Sequence, residues 1–300
     1  MRKTYHIFGL NILSSIPLPA RPIAEPPLEL APDVVIEYGN TPDALSKPQS
    51  KEEYYQAGPG EFLLQVDSVA RYYVHEGRRI IITPESGSEE ERILIFLMGS
   101  AIGALLHQRN ILVLHAGAIV VNDQGIIFSG DSGIGKSTLA AGFNKRGYPF
   151  LADDVCAIAM LNGKPAVIPG FPRLKLWSDA LKKLDTDKNQ LKSVRWMRGL
   201  EKYFLPVDPP HEKPVPLKSV FVLETTNADK IEITALKGVE KIDPIIKNTY
   251  RLSFLNGLGG KEDHFRQCAA VAAKAAVYRT VRPNKKFLLT ELMDMLETKF

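Results

Sequence analysis

The chain has 300 residues, of which 45% are hydrophobic and 24% are charged, and this composition excludes a disordered polypeptide. Its length suffices for one large or two ordinary domains with buried cores. Two cysteines, Cys156 and Cys268, offer no disulfide framework, so we expect a reducing, cytoplasmic setting. The formal net charge is +4, but residues 1–108 hold nine Lys/Arg against fourteen Asp/Glu, and residues 109–300 hold 29 against 20. The second part is therefore the one suited to anions.

Residues 1–108 are expected to form a smaller, β-rich α+β domain that ends in a helix. Short runs rich in β-branched and aromatic residues, separated by Gly, Pro and Asn, predict its strands. The predicted strands are Tyr5–Leu13, Asp33–Tyr38, Phe62–Asp67, Ala70–His75 and Arg79–Thr83. A hairpin is expected around Glu76-Gly77.

A helix is predicted for the stretch SEEERILIFLMGSAIGALLHQR, which begins at Ser88. Glu91 follows Ser88 at the spacing of a capping box. The apolar run Ile93–Leu106 is shorter than the roughly 20 residues of a membrane helix, so we expect a buried helix and no membrane partner. Gly99 and Gly103 indicate a small face against which a neighbouring element packs; the alternative is a pair of membrane helices.

From residue 109 to residue 300 the pattern predicts an α/β domain. The predicted elements are strands Ile111–Val121 and Ile126–Ser129, helix Lys136–Lys145 closed by Gly147, strands Tyr148–Ala152 and Ser219–Glu224, the loop Asn256–Gly260 and a helix Glu262–Tyr278.

The stretch GDSGIGKST lies between a predicted strand and a predicted helix and fits the pattern G-x-x-x-x-G-K-[ST]. Its glycines let successive backbone N–H groups point into one anion-sized hollow, to which the helix adds its N-terminal dipole. Lys136 is expected to reach the β/γ-phosphates, and the Ser137 hydroxyl to ligate Mg²⁺. The predicted nucleotide-binding residues are Gly130, Asp131, Ser132, Gly133, Ile134, Gly135, Lys136, Ser137 and Thr138. ATP and Mg²⁺ are the predicted cofactors.

Two adjacent carboxylates, Asp153 and Asp154, follow the next predicted strand. Neighbours on a regular strand face opposite sides, so both reach the phosphates only if the chain bends there. With a bend, one carboxylate can serve Mg²⁺ while the other takes the proton of an incoming hydroxyl. The alternative is one metal ligand beside a solvated or loop-capping aspartate.

The segment LHAGAIVVNDQGIIFSGDSGIGKSTLAAGFNKRGYPFLADDVCAI, Leu114 to Ile158, resembles the catalytic domain of the HPr kinase/phosphorylase family. The resemblance implies a P-loop kinase fold of the HPr-kinase/PEP-carboxykinase-like type and phosphoryl transfer to a serine of a protein or peptide. By position, it implies that His115 lies near the catalytic carboxylates and that Asp154 is the general base. It further implies that Asp153 is a metal- or phosphate-side partner.

The chain also departs from this family. The family's second signature, with its metal-site glutamate, has no counterpart, because residues 169–177 read PGFPRLKLW. This weighs against the reverse, phosphorylase reaction. The β-rich front, the helix, the core and PGFPRLKLW together are similar to HPr-kinase-like proteins associated with ribosomally made peptides, including lasso-peptide precursor kinases. That similarity implies a short peptide acceptor with a serine near its C-terminal end.

Several cationic residues beyond the motif are candidates for substrate contacts. Arg173 and Lys175 share a face if their segment is extended, where they could stabilise a transferring phosphoryl group; a solvated pair is the alternative. Residues 182–202, part of a basic insertion near 182–215, could receive an acidic peptide or form a solvated face. The basic residues of that stretch are Lys182, Lys183, Lys188, Lys192, Arg195, Arg198 and Lys202.

Other functions are less well supported by the residues. His264 and Cys268 have helical metal-ligand spacing but lack a third ligand nearby. Aromatic residues are not interleaved with basic ones, so we expect no nucleic-acid partner. Two alternatives to the peptide kinase stay open, an HPr(Ser) kinase/phosphorylase and a nucleotide-binding regulatory module without phosphotransfer. A homo-oligomer is also left open.

Overall fold

The computed structural model describes residues 2–24, 31–184, 186–187, 191–197, 200–207, 211–284 and 288–300. The chain combines sheets and helices, which confirms the predicted α/β class, and it divides into two compact units. The first unit comprises Met1–Val113 and Tyr250–Arg266, and the second comprises Leu114–Thr249 and Gln267–Phe300. The division therefore differs from the expected boundary at residue 108, because a late segment of the chain belongs to the first unit.

The described strands, in chain order, are β1 (Lys3–Ile7), β2 (Leu10–Ser14), β3 (Val34–Tyr38), β4 (Ser50–Lys51), β5 (Tyr55–Gly58), β6 (Glu61–Val66), β7 (Ala70–His75), β8 (Arg79–Pro84), β9 (Leu112–Leu114), β10 (Ala116–Val121), β11 (Gln124–Gly130), β12 (Phe150–Ala152), β13 (Cys156–Leu161), β14 (Lys164–Ile168), β15 (Arg173–Trp177), β16 (Lys192–Met197), β17 (Leu200–Pro206), β18 (Val215–Thr226), β19 (Glu232–Ala235) and β20 (Ala276–Pro283). The described α-helices are α1 (Glu90–Phe96), α2 (Ile102–Gln108), α3 (Lys136–Lys145), α4 (Ser178–Lys183), α5 (Ile242–Lys247), α6 (Leu255–Leu258), α7 (Lys261–Lys274) and α8 (Leu289–Glu297).

The first unit is built on one sheet with strand order β1-β2-β3-β8-β7-β6-β5-β4. Strand β3 runs parallel to both β2 and β8, and the other pairs are antiparallel. The predicted single strand Tyr5–Leu13 is wrong, since β1 and β2 form a hairpin there. Phe8 and Gly9 turn the chain with φ of 55° and 70°, the left-handed conformation that two-residue hairpin loops require.

The predicted helix after Ser88 consists of α1, a π-helical turn over Leu97–Ala101, and α2. The predicted capping box is wrong, because Glu89 is the N-cap and its side chain makes no capping hydrogen bond. The predicted small face is present, since a Cβ at Gly103 would come within 2.8 Å of the Tyr250 ring. Among the described helices, none has the length and apolar character needed to cross a membrane.

The main sheet of the second unit contains the strand order β12-β10-β11-β18-β14-β13, and β20 lies between β18 and β19. The predicted strand Ile111–Val121 is interrupted at His115, which separates β9 from β10. A smaller sheet has the order β15-β17-β16.

Three neighbouring strands of the main sheet, β11, β18 and β20, are parallel. Their register aligns Gly130 with Leu223 and Leu223 with Thr280, so their carboxyl ends lie at one edge of the sheet. The predicted helix Glu262–Tyr278 is too long, since α7 ends at Lys274 and the following residues pair with both β18 and β19. A binding crevice is typically found at such an edge in α/β proteins.

The core of the second unit lies between this sheet and helices α3 and α8. The Phe143 ring of α3 stacks on Phe128 of β11 at 5.4 Å, and Phe221 of β18 stacks on Tyr278 of β20 at 4.8 Å. Each such pair contributes about 0.5–1.5 kcal/mol beyond the area that it buries. This packing holds α3, and with it the loop before α3, at a fixed place over the sheet.

Candidate functional site: a phosphate loop beside two carboxylates

The glycine-rich loop joins the end of β11 to the start of α3. Its glycines Gly130, Gly133 and Gly135 have φ of 141°, 83° and 108°, a region that residues with a side chain rarely adopt. A Cβ at Gly130 would also lie 2.6 Å from the carbonyl oxygen of Leu223. The sequence therefore needs glycine at this position to curl the loop against β18.

Lys136 is buried, and its ammonium group holds the loop in this shape. Its Nζ donates hydrogen bonds to the carbonyl oxygens of Gly130 and Asp131, both at 2.8 Å. These bonds place the positive charge of Lys136 against the backbone of the loop. A loop with this charge and with N–H groups at a helix start is suited to bind phosphates.

Ser137, the next residue of α3, connects the loop to the first of the two carboxylates. Its Oγ donates a hydrogen bond of 2.7 Å to Oδ1 of Asp153. The other oxygen of Asp153, Oδ2, accepts the backbone N–H of Lys175 at 2.9 Å. Asp153 is thus fixed between α3 and β15, with its carboxylate beside the phosphate loop.

The chain bends at Asp154, as the two adjacent carboxylates require if both are to face the loop. Asp154 has φ of 71°, and the N–H of Val155 donates to the carbonyl of Asp153 at 2.8 Å, which closes a three-residue turn. Turns of this kind are rare and strained, and strained residues cluster at functional sites. Both carboxylates line one cavity as a result.

Asp154 lies between two cationic or hydrogen-bonding side chains. His115 Nε2 is 3.1 Å from its Oδ1, and Lys175 Nζ is 3.1 Å from its Oδ2. Burial opposes its charged form, but the charge of Lys175 and the hydrogen bond of His115 outweigh burial and lower the pKa of Asp154 below its ordinary value. The side chain stays 32% exposed, so a hydroxyl group can still approach the carboxylate.

The pKa of Asp153 is shifted in the opposite direction to that of Asp154. Burial and the neighbouring charge of Asp154 raise the pKa of Asp153, and the bonds from Lys175 and Ser137 only partly oppose this. Arg173 contributes to the field at Asp153 without lining the cavity, since its guanidinium lies 3.8 Å over the Phe204 ring. Burial lowers the pKa of Arg173 to about 10, although the charge of Asp153 opposes this shift.

The cavity has a volume of about 470 Å³ and brings most of the predicted site residues together. The predicted site residues that line the cavity are His115, Ser132, Gly133, Ile134, Gly135, Lys136, Ser137, Thr138, Asp153, Asp154 and Lys175. Sequence reasoning missed Trp177 and Asp179 at the start of α4, and it missed Arg282 and Asn284 at the end of β20. No local motif marks these four residues.

The donor set beside the loop fits Mg²⁺. The Ser137 hydroxyl and the Asp153 carboxylate are hard oxygen ligands that already touch each other. Mg²⁺ in nucleotide sites typically takes one or two protein oxygens and completes its shell with phosphate and water oxygens. These two residues are therefore the ones that would hold the metal.

Two further features of the sequence concern a possible metal site and a possible substrate-binding stretch. The described residues contain no group of three or more His, Cys, Asp or Glu side chains that could hold a metal ion, and this includes the surroundings of His264 and Cys268. In the basic stretch 182–202, Lys188 and Arg198 and the side chains of Lys183, Lys192, Arg195 and Lys202 lie outside the described residues. A substrate role for this stretch stays a prediction.

No family model matches the chain. The HPr kinase/phosphorylases of two strains of Treponema pallidum are each 39% identical to it over 56 residues, or 19% of this chain. The chain spans about a fifth of the length of these relatives, since the match covers 18% of each. The solved HPr(Ser) kinase/phosphatase of Coxiella burnetii has a TM-score of 0.33 and 13% identity, and the match covers 62% of this chain and 95% of that chain.

The two curated relatives are HPr kinase/phosphorylases, the family that the segment Leu114–Ile158 resembles. An identity of 39% over 56 residues is a local match, and it says nothing of the rest of the chain. Over the matched residues the chain is therefore similar to the HPr kinase/phosphorylase family, as the sequence analysis predicted.

Proposed function

We propose that this protein is an ATP- and Mg²⁺-dependent kinase that transfers the γ-phosphoryl group of ATP to a serine hydroxyl of a protein or peptide. One observation carries the proposal. The phosphate loop and two carboxylates line the same cavity, and Ser137 of the loop helix is hydrogen-bonded to Asp153. A phosphate loop alone would serve any nucleotide-binding protein, whereas a second carboxylate beside it provides a proton acceptor.

The chain's residues divide the work of transfer. The loop N–H groups and Lys136 bind the β- and γ-phosphates, and Ser137 and Asp153 would hold Mg²⁺, which would neutralise phosphate charge. The serine oxygen then forms a bond to the γ-phosphorus while the bond to the β–γ bridging oxygen breaks and ADP leaves. Asp154 accepts the serine proton.

Asp154 is suited to this role by its position more than by its basicity. Its lowered pKa keeps it ionised at neutral pH, so it is always ready to accept a hydrogen bond from a hydroxyl. Phosphoryl transfer requires little covalent chemistry from the protein, because its transition state is loose. Catalysis therefore depends mainly on how the reacting groups are positioned. Lys175 and His115 fix the carboxylate while leaving lone pairs free for the acceptor.

The acceptor that we propose is a serine near the C-terminal end of a ribosomally made precursor peptide. The similarity of PGFPRLKLW and of the β-rich front to lasso-peptide precursor kinases supports this choice. Lys175, in that segment, places a cation beside Asp154, where a peptide carboxylate or a transferring phosphoryl group can be attracted.

The test is transfer from radiolabelled ATP to serine peptides, measured for the wild type and for Lys136→Ala and Asp154→Asn. Each variant should lose about 10²–10⁴-fold or more in rate, and the first should also lose nucleotide affinity. Asp123→Asn is a control, because Asp123 lies in an exposed turn with φ of 59°, a conformation that asparagine also tolerates. Normal transfer by Asp154→Asn would rule out the proposed base.

A second candidate is phosphorylation of an HPr-type protein, favoured by the names of the curated relatives. Replacing the peptide by HPr in the same assay distinguishes the two acceptors, and release of phosphate from phospho-HPr would reveal the reverse reaction. Nucleotide retention with transfer to neither acceptor would instead indicate a regulatory module.

A further inference from the structure

Arg282 lies at the carboxyl end of β20, the strand next to β18 on the opposite side from β11. Its register partner on β18 is Thr225, two residues beyond the Leu223 that contacts the phosphate loop. The parallel arrangement brings this end of β20 to the edge of the sheet where the loop begins. Arg282 therefore lines the cavity from a part of the chain remote from the motif.

The guanidinium of Arg282 contacts the phosphate loop directly. Its Nη2 donates to the carbonyl oxygen of Ile134 at 2.8 Å, and its Nη1 donates to the carbonyl of Pro283 at 3.1 Å. A Cβ at Gly135 would lie 3.8 Å from Nη2. The cation is thus placed against Ile134 and Gly135, the two residues that precede Lys136.

Arg282 differs from the other arginine of the same strand in how its charge is balanced. Arg279 points to solvent and binds Glu224 through Nε and Nη2, at 2.9 and 2.7 Å. In the part of the chain that the structure describes, the recorded partners of the Arg282 guanidinium are the two carbonyls. Carbonyl oxygens satisfy donors without cancelling a full charge.

Two cations therefore donate hydrogen bonds to carbonyl oxygens of the loop, Lys136 from the start of α3 and Arg282 from the end of β20. Burial lowers the pKa of Arg282, but an arginine side chain stays charged at neutral pH. In a partly buried site this charge is screened less than it is at the surface, so it attracts an anion over several ångströms. A guanidinium has five N–H donors, which leaves donors available for phosphate oxygens.

We propose that Arg282 is a second phosphate-binding cation, which holds the loop through Ile134 and neutralises the β- and γ-phosphates of the bound nucleotide together with Lys136. The inference rests on the nucleotide binding in the proposed function. It does not depend on the identity of the acceptor or on transfer.

The experiment is calorimetric titration of the 300-residue chain with ATP, ADP and AMP in Mg²⁺ buffer. Arg282→Gln should bind ATP roughly 10–100-fold more weakly, since a hydrogen bond to a charged group is lost with its charge, and AMP should change much less. Arg282→Lys should be intermediate, because it keeps the charge and loses the planar fork. Arg279→Gln, on the same strand, is the matched control and should bind all three nucleotides as the wild type does.

Unchanged ATP affinity in Arg282→Gln, or equal weakening of ATP and AMP, would overturn the inference, because the charge would then not serve the β- and γ-phosphates. Should Arg282→Gln fail to fold, Arg282→Met decides the question, since wild-type discrimination between ATP and AMP in a variant without the charge would overturn the inference. Binding of ATP without transfer to any serine removes the proposed kinase alone. Absence of ATP binding in the wild type removes both.

Discussion

The two aspartates of the site are neighbours of the same residue type, and their environments shift their pKa values in opposite directions. Asp153 is buried against a like charge and its pKa is raised, whereas Asp154 is held by Lys175 and His115 and its pKa is lowered. Pairs of titratable groups separated in this way commonly divide two roles between them. Here the division fits a metal-side carboxylate and a proton acceptor.

Opposite pKa shifts predict opposite effects of amide substitutions on stability in the absence of metal and nucleotide. Because the folded-state pKa of Asp153 is raised, the unfolded chain releases that proton first as pH rises, so Asp153 lowers the free energy of unfolding at neutral pH. Asp154, with a lowered pKa, contributes stability that is present above the ordinary carboxyl pKa and lost in acid. We expect Asp153→Asn to raise Tm at pH 7.5 and Asp154→Asn to lower it, each on the order of 2–4 °C.

Thermal unfolding followed by circular dichroism between pH 4 and pH 8 measures both effects. The difference for Asp153→Asn should shrink as pH falls towards about 4, because the wild-type aspartate is then protonated in the folded chain and largely so in the unfolded chain. The difference for Asp154→Asn should persist at pH 4, because the stability that Asp154 contributes is lost only below the ordinary carboxyl pKa. Asp123→Asn, in an exposed turn, is the control and should leave Tm unchanged. Two variants with the same sign of Tm change at pH 7.5 would contradict the assigned pKa directions.

The site residues that could be predicted from sequence are those whose chemistry is local. The loop carries its mechanism within nine consecutive residues, Gly130 to Thr138, and the two aspartates follow one strand later. Arg282 could not be found in this way. It is one of two arginines in β20, and only the parallel pairing of that strand brings it to the loop.

At the scale of elements, the ends of a helix could be predicted where glycine residues lie next to them. Helix α3 has the predicted bounds because Gly135 and Gly147, with φ of 108° and 92°, lie just outside its two ends. The end of α7 could not be placed, since its alanine-rich sequence continues into β20 and favours helix by propensity. Pairing with β18 and β19 overrides that propensity, and no local signal shows it.

The small face of the helix segment that ends with α2 predicts two different responses to one added methyl group. A Cβ at Gly103 would lie 2.8 Å from a ring carbon of Tyr250, and a Cβ at Gly99 would lie 3.0 Å from its hydroxyl oxygen. We expect alanine at either position to lower the free energy of unfolding by about 1–3 kcal/mol through overpacking. Adding Tyr250→Phe should relieve the strain at residue 99 and leave it at residue 103.

Urea unfolding of the two single and two double variants tests this difference. Tyr250→Phe alone is the reference for both cycles, because it removes the hydroxyl without moving the ring. The interaction term should be favourable for the Gly99 cycle and close to zero for the Gly103 cycle. Equal rescue at both positions would contradict the packing described for the tyrosine.

At the scale of the whole molecule, the first unit is discontinuous in sequence. Its core is completed by a late segment, Tyr250–Arg266, which contributes Phe254. The Phe254 ring lies 4.4 Å from that of Phe62 and 4.7 Å from that of Tyr55, in a buried aromatic cluster. Composition and charge suggested a division near residue 108. They could not show that residues 250–266 contribute to the core of the first unit.

This discontinuity predicts how fragments of the chain behave. Residues 2–113 alone lack the ring of Phe254, whose loss from a core costs about 3–5 kcal/mol, so we expect a loosened fragment that binds a hydrophobic dye. The N–H of Tyr250 donates to the carbonyl of Val113 at 2.8 Å, so a short Gly/Ser linker can fuse residues 250–266 to this end. The fused fragment should unfold cooperatively, and Phe254→Ala should abolish the gain. Cooperative unfolding of residues 2–113 without the fused segment would contradict its part in the core.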